Sequence, residues 1–254
     1  VSPWWRRHFD DVWYRLHRGL FPEQRSRQEV AAMVELLGLP LGARVLDGPC
    51  GWGRHTAPLA EAGFLCVGAD LSLPLLRRAV DVRGADGPAG SRAAPTVVAA
   101  DLAALPFAEG AFDAVIDVFT SVGLFDDDER EVAALSELRR VTRPGGRLLL
   151  ETIHREDVER HFAERDRLRV DDGTRVRIRR RWDAERGVAH ERWRWRTPEG
   201  GEGRSRHRLR VYAANEVLAF LETAGYRPEE LMGDWDGSPF TGESPRLIVL
   251  AAAV

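Results

Sequence analysis

V-L-D-G-P-C-G-W-G-R, residues 45–54, decides the fold of this chain. An apolar strand runs into an acid, then into a glycine-rich turn, then into a helical pattern carrying Thr56, Leu59 and Ala60. Glycine lets the backbone pass close to a ligand in conformations that side chains forbid. The helix that follows presents free N–H groups at its start. In that order the three pieces make a cradle for an adenosine-containing molecule at the carboxyl end of a parallel strand.

Apolar runs and helical patterns alternate outward from this cradle. Residues 44–47 read as a strand and 54–62 as a helix closed by Gly63; 64–70 is a second strand, followed by a helix over 73–82 with Ser72 as its N-cap. A Gly/Pro/Ala-rich loop spans 84–95, and 96–100 is a third strand. Residues 112–119 are almost wholly apolar, as a strand buried on both faces must be. A helix over 126–141 stops before Pro144-Gly145-Gly146, and 147–153 is a fifth strand. This alternation predicts an α/β fold, a Rossmann-like doubly wound sheet of mostly parallel strands, with ligands beyond the strands' carboxyl ends. Residues 44–154 form its core. A helix over 215–224 and strands over 228–235 and 246–251 place its completion in 212–254. Amphipathic helices over 4–20 and 25–37 make residues 1–43 an N-terminal helical lid.

Residues 155–211 break the pattern. Four stretches, 165–170, 174–182, 188–197 and 204–211, alternate with period two between turn signals, which predicts an antiparallel β-meander insertion. Arginine fills one parity of every stretch; Leu168, Val170, Val176, Ile178, Trp182, Trp193, Trp195, Leu209 and Val211 fill the other. One face is guanidinium and the other apolar, and the apolar face needs a cover, either the core or a second subunit in a homodimer.

Composition narrows the class. The 254 residues are 44% hydrophobic with a net charge of −3, so nothing global points to nucleic acid or an anionic membrane. Two cysteines, Cys50 and Cys66, beside buried strands fit a reducing cytoplasm. No apolar run reaches the roughly 18–20 residues of a spanning helix, and the first residues lack a signal peptide's apolar stretch. All 37 basic residues are arginine, a bias that a GC-rich genome explains and that weakens arginine as evidence for anion binding. No His/Cys/Asp/Glu spacing predicts a metal site.

The 45–54 stretch resembles the first motif of class I S-adenosylmethionine (SAM)-dependent methyltransferases, roughly D-x-G-C-G-x-G. Asp70 ends the second strand, where a carboxylate accepts from both ribose hydroxyls; dinucleotide-binding folds use the same device, so Asp70 alone indicates adenosine rather than SAM. Of three further matches, those on the fourth strand and at the turn into the fifth separate the two. Asp101-Leu102 after the third strand resembles the residues that meet adenine, the acid accepting from its amino group and the next N–H facing its ring. Phe112-Asp113-Ala114-Val115 resembles the fourth-strand motif F-D-x-V. Residues 138–150 resemble the turn L-x-x-x-L-x-P-G-G-x-L. Thr56 stands where a third dinucleotide-binding glycine would. The likeness covers about residues 43–152. It departs at Pro49, where the pattern often has Gly, and at Trp52, bulky where Thr or Ser is common.

The resemblance implies SAM as cofactor and S-adenosylhomocysteine (SAH) as product, with Asp47, Gly48, Cys50, Gly51, Gly53, Asp70, Leu71, Asp101, Leu102, Asp117 and Val118 around it. It also implies methylation of an O or N atom of a small-molecule acceptor, a natural product or sugar. Methyl transfer from a sulfonium needs alignment and an acceptor free of its proton. By position and histidine's ordinary pKa, His154 is the candidate base, with Tyr14 on the lid as a second catalytic candidate. Phe119, Trp182, Trp193 and Trp195 are candidates for the acceptor pocket, while no motif supports His190 or His207. Two alternatives stand beside this reading. One is a SAM-binding protein with other chemistry or a regulatory role. The other is an RNA methyltransferase using the arginine face, against which the tryptophans' opposite parity argues.

Overall fold

The computed structural model describes residues 4–85, 95–125 and 127–254, with backbone alone for 82–85. Most of the expected 84–95 loop, Asp126 at the expected helix start, and Val1-Ser2-Pro3 lie outside the described residues. Strands β1 (Arg44–Asp47), β2 (Leu65–Asp70), β3 (Thr96–Ala99), β4 (Phe112–Asp117) and β5 (Thr142–Thr152) come first. Strands β6 (Arg165–Arg169), β7 (Arg175–Asp183), β8 (Val188–Arg196) and β9 (Glu202–Arg210) form a separate antiparallel sheet, and β10 (Tyr226–Met232) and β11 (Leu247–Ala253) return to the first.

The main sheet has the order β10-β11-β5-β4-β1-β2-β3. Its neighbours are parallel except at β11, which runs antiparallel to both β5 and β10. Successive residues of a strand face opposite sides, so each central strand feeds two cores. Leu46, Val115, Leu148 and Leu150 pack with Leu135 and Leu138 on one side. Val45, Ile116 and Leu149 pack with Val30, Met33 and Leu37 on the other. This double burial leaves the carboxyl ends of β1, β2 and β4 as the place where the chain opens for a ligand.

Helices α1 (Trp5–His8), α2 (Asp11–His17) and α3 (Glu23–Leu37) precede the sheet, with a 3₁₀ turn over Arg18–Leu20. The expected single helix over 4–20 is broken because the Asp10 carboxylate caps a new start, accepting from Trp13 N at 2.8 Å. Four helices follow the sequence pattern closely: α4 (Thr56–Glu61), α5 (Leu73–Ala85), α6 (Asp128–Val141) and, past the insertion, one over Ala214–Thr223. Before the small sheet comes α7 (Arg155–His161), absent from the sequence reading. Its seven residues R-E-D-V-E-R-H are too few and too polar to carry a periodic signal. The last helix is therefore α8. Strand β5 also begins five residues early, running through Pro144-Gly145-Gly146.

The insertion sheet is docked rather than free. Its apolar face, with Val170, Val176, Ile178 and Trp193, packs against Leu16 and Val12 of α2, so the chain's own lid covers the face that raised the idea of a dimer. Its outer face is a grid: Arg165, Arg179, Arg192 and Arg206 oppose one another across four strands, and Arg167, Arg177, Arg194 and Arg204 form the next row. A close approach fixes the sheet's exit. Arg210 N donates to Gly123 O at 2.9 Å. Gly123 has φ 104°, and a Cβ there would sit 1.9 Å from the Arg210 carbonyl oxygen. Strain and collision both forbid a side chain. Gly123→Ala is therefore expected to cost about 2 kcal/mol or more, read as a lower urea midpoint; an unchanged midpoint contradicts this docking.

Candidate functional site

A single carboxylate organises the ligand end. Asp70 Oδ2 accepts from Gly51 N at 2.8 Å and Oδ1 from Ser72 N at 2.7 Å, leaving each oxygen a lone pair for a further donor. Burial raises the Asp70 carboxyl, and these backbone donors oppose the rise. The turn it holds carries Gly51 and Gly53 in left-handed conformations (φ 55° and 73°), which glycine adopts freely. Behind the turn, Cys50 and Thr56 press on β2 so closely that a Cβ at Gly68 would lie 2.8 Å from Cys50 Sγ. Thr56 Oγ1 donates to Asp47 Oδ2 at 2.6 Å, while Asp47 Oδ1 is buried without a partner. Burial pushes the Asp47 carboxyl up to about 7.

A cavity of about 640 Å³ opens in front of this turn. Cys50, Gly51, Asp70, Leu71, Asp101, Leu102, Asp117, Val118 and Phe119 line it, all of them residues singled out from sequence. Asp47, Gly48 and Gly53 do not; they shape the turn from behind. Trp52, undecided from sequence, is in the wall, packed by Trp13, Tyr14 and Phe21. Tyr14 itself meets the edge of Trp52 and the Arg78 guanidinium instead of the cavity.

The floor beneath β4 is acidic and strained. Burial pushes the Asp117 carboxyl up to about 7 against the hydrogen bond from Ser121 Oγ. Phe119 and Thr120 follow with φ 73° and 58°, two consecutive non-glycine residues in the left-handed region. Such strain survives only where surroundings over-determine it. Glu151 does so here, accepting from Phe119 N at 2.7 Å and from Arg246 at 2.6 Å. Arg54 lines the same region, paired to the buried Glu29 and stacked against Phe21 and Phe119. Burial lowers the Arg54 pKa, and Glu29, itself held far below the usual carboxylate range by His55 and Arg54 against its own burial, counters this.

His154 is not at the cavity. It is wholly buried, with Nε2 2.6 Å from the Ser244 carbonyl and Nδ1 3.0 Å from Glu156, and its ring packs on Phe240. Both nitrogens are engaged in tying the start of α7 to the 240s loop. Trp182, Trp193 and Trp195 also stand outside the lining. Trp182 packs on Phe162, and the Trp195 indole lies where a Gly203 side chain would be. Trp193 acts one step back, its Nε1 donating to Glu191 Oε2 at 2.6 Å.

Sequence reasoning missed the far end of the cavity, because its residues come from two distant segments. His8 and His17 arrive on α1 and α2, Glu191 and His207 on β8 and β9. Glu191 collects His207 Nε2 (3.1 Å), Trp193 Nε1 and Arg180 Nε (2.6 Å). Burial raises its carboxyl, but these partners outweigh burial and hold it down at about 2. The His8 ring lies 4.4 Å from His207 and has no hydrogen-bond partner among the described residues. Burial, with His207 and His17 nearby, lowers its pKa to about 3; burial takes His17 down to about 4 despite its bond to the Trp13 carbonyl. Both rings are neutral at pH 7. Among the described residues no group of His, Cys, Asp and Glu is placed to hold a metal ion.

Residues 45–146 match the family model described as a methyltransferase domain. The demethylmenaquinone methyltransferase of Renibacterium salmoninarum is 36% identical over 146 residues, 56% of this chain and 55% of that protein. That of Beutenbergia cavernae is 38% identical over the same shares. The chain spans about half the length of the curated relatives it matches. Among solved structures, the CcbJ methyltransferase of Streptomyces caelestis superposes with a TM-score of 0.75 at 19% identity, over 92% of this chain and 97% of that one. The SAM-bound amino pentose methyltransferase CalS10 of Micromonospora echinaspora gives 0.69 at 22%, over 96% and 97%. The fold is that of class I SAM-dependent methyltransferases, and its core carries a methyltransferase domain.

Glu131 offers a pH test of the cavity wall. Its Oε1 accepts from Gly123 N (2.9 Å) and Phe125 N (3.1 Å), and burial pushes the carboxyl up to about 8 against these bonds. Folding raises this pKa, so the folded chain holds the extra proton and stability falls as pH climbs from about 4.5 to 8. Glu131→Gln keeps the accepting oxygen and removes the titration. The variant's unfolding free energy is expected to gain on wild type by about 1 kcal/mol or more across that window; parallel curves contradict the raised pKa.

Proposed function

We propose that this protein transfers a methyl group from SAM to an oxygen or nitrogen atom of a small molecule, releasing SAH. The observation that carries the reading is continuity: one cavity joins the Asp70-pinned turn to a chamber walled by aromatic rings and imidazoles. The methyltransferase-domain match and the SAM-bound structural relative support SAM as the donor. The residues present fit it. The glycine turn leaves room for close backbone approach, and Asp70 keeps lone pairs for the ribose hydroxyls.

In this reading Asp70 and Leu71 take the ribose, Asp101 and Leu102 the adenine, and Cys50 and Gly51 the methionyl backbone. Asp117 and Val118 flank the sulfur end, and the Arg54 guanidinium receives the methionyl carboxylate. Asp101 is engaged by Arg6 of the lid at 2.8 Å, which ties lid position to the adenine end. SAM, when bound, supplies a methyl group on a sulfonium. The chain's own work is alignment and proton handling. His8 presents a neutral ring with an open lone pair at the chamber, suited to accept a hydrogen bond from the acceptor's O–H or N–H. That leaves the nucleophile's own lone pair free for the methyl. The Glu191 carboxylate supplies negative charge that favours a developing imidazolium, against burial and the neighbouring His207 and His17. The arginine grid lies on the outer face of the insertion, away from this cavity, which argues against RNA as the methylated substrate.

Asp70→Asn removes the charge that holds both turns. Isothermal titration is expected to show SAM bound at least tenfold more weakly, as loss of a charged hydrogen-bond acceptor predicts. His8→Phe is expected to keep SAM affinity within about twofold. Once an acceptor is in hand, the same variant should lose about a hundredfold in SAH formation. Tight SAM binding with no SAH formed across hydroxyl and amine acceptors would instead favour a SAM-binding protein without transfer.

A further inference from the structure

The geometry points to the outer face of the insertion sheet as a docking surface for an anionic lipid bilayer. Across β6–β9 every outward position of the two central rows is an arginine, so guanidiniums stand directly opposite one another on neighbouring strands. Like charges directly opposite in a sheet are destabilising. All eight side chains are on exposed residues, and none has an ion-pair partner among the described residues. The carboxylates that do reach this face, Asp183 on Arg181 (3.8 Å) and Glu202 on Arg196 (3.4 Å), sit at the sheet's ends. A biased genome explains arginine in place of lysine. It does not explain why a solvated face admits one sign of charge in row after row.

Charge complementarity fixes the partner as a polyanion, and three observations favour a bilayer. The grid extends in two dimensions, four strands wide, as an array of headgroup phosphates does and a single strand of phosphates does not. Trp182, Trp193 and Trp195 lie on the opposite parity, and the His190 ring that shares this face sits outside the two central rows, between Arg181 and Arg208, so those rows carry no platform for stacking bases. The reverse side of the same sheet roofs a chamber lined by Trp4, Phe125, Phe162 and Leu209, which suits an acceptor with an apolar body that partitions into lipid; this last argument rests on the chamber being the acceptor's. The rest of the molecule is acidic. Residues 154–211 carry a net +6 and the remainder −9, so an anionic surface attracts one side and repels the other and orients the molecule. Among the described residues no helix is long and apolar enough to cross a membrane, so the contact is electrostatic and reversible.

The test is co-sedimentation of the intact chain with vesicles of phosphatidylcholine alone, or carrying about a third phosphatidylglycerol. Binding at least tenfold stronger to the anionic vesicles, lost as salt rises from about 0.1 M to about 0.5 M, is expected. Replacing Arg177, Arg179, Arg192 and Arg194 together by Gln should weaken that binding at least tenfold. It should leave SAM affinity unchanged and the melting temperature equal or higher, because repulsion is relieved. Equal binding to both vesicles, or a quadruple variant that binds like wild type, overturns the proposal. So does retention of duplex RNA or DNA by a chain that ignores vesicles. The wild-type salt and lipid arms decide the matter even if the variant does not fold, and neither depends on methyl transfer.

Discussion

The hydrogen bond from Gly51 N to Asp70 Oδ2 is the constraint from which the site is built. It ties the turn after β1 to the end of β2, so two adjacent strands present their carboxyl ends in one register. The same carboxylate holds Ser72 N, and the Ser72 hydroxyl accepts from Leu75 N at 3.2 Å to start α5. That hydroxyl donates in turn to the Phe9 carbonyl at 2.6 Å, which sets where the lid crosses the cavity. A short path of four groups therefore runs from the parallel sheet to the helices that carry His8 and His17. Loosening its first member frees the turn, the helix start and the lid together.

Burial governs the chemistry available there. Asp47, Asp117 and Glu131 are all pushed toward neutrality by desolvation, whereas Glu29 and Glu191 stay ionised because guanidinium and imidazole donors meet them. Within the cavity lining the contrast sets Asp117 and Glu131 against Glu191. Near β4 burial keeps the Asp117 carboxyl close to neutral. At the far end the charge is already fixed on Glu191, and the neutral rings of His8 and His17 face it.

Sequence pattern revealed the parts whose signal is local. Strand–turn–helix order, the acid at the end of β2 and the acid after β3 are each readable within a few residues, and eight cofactor-side candidates line the cavity, with Phe119 from the acceptor-pocket candidates beside them. Alternation over 165–211 was equally local, which is why both faces of the insertion were legible. Reading the far end of the cavity needs contacts between residues about 200 positions apart, as at His8 and His207, and no periodicity carries that. His154 shows the converse: a histidine just past a strand end looks catalytic by position, yet the Ser244 carbonyl of the 240s loop takes its Nε2 and Glu156 of α7 takes its Nδ1. The tryptophans of the insertion were legible as an apolar face, but α2 fills the space between most of that face and the cavity.

The central claim is that one cavity binds SAM at the Asp70 end and the acceptor at the His8 end. The most direct measurement is a crystal structure of the protein with SAH. The account predicts the ribose on Asp70, the adenine beside Asp101 and Leu102, and the sulfur directed past Asp117 into the chamber of His8, His207 and Glu191. SAH bound elsewhere, or with its sulfur turned away from that chamber, would contradict it.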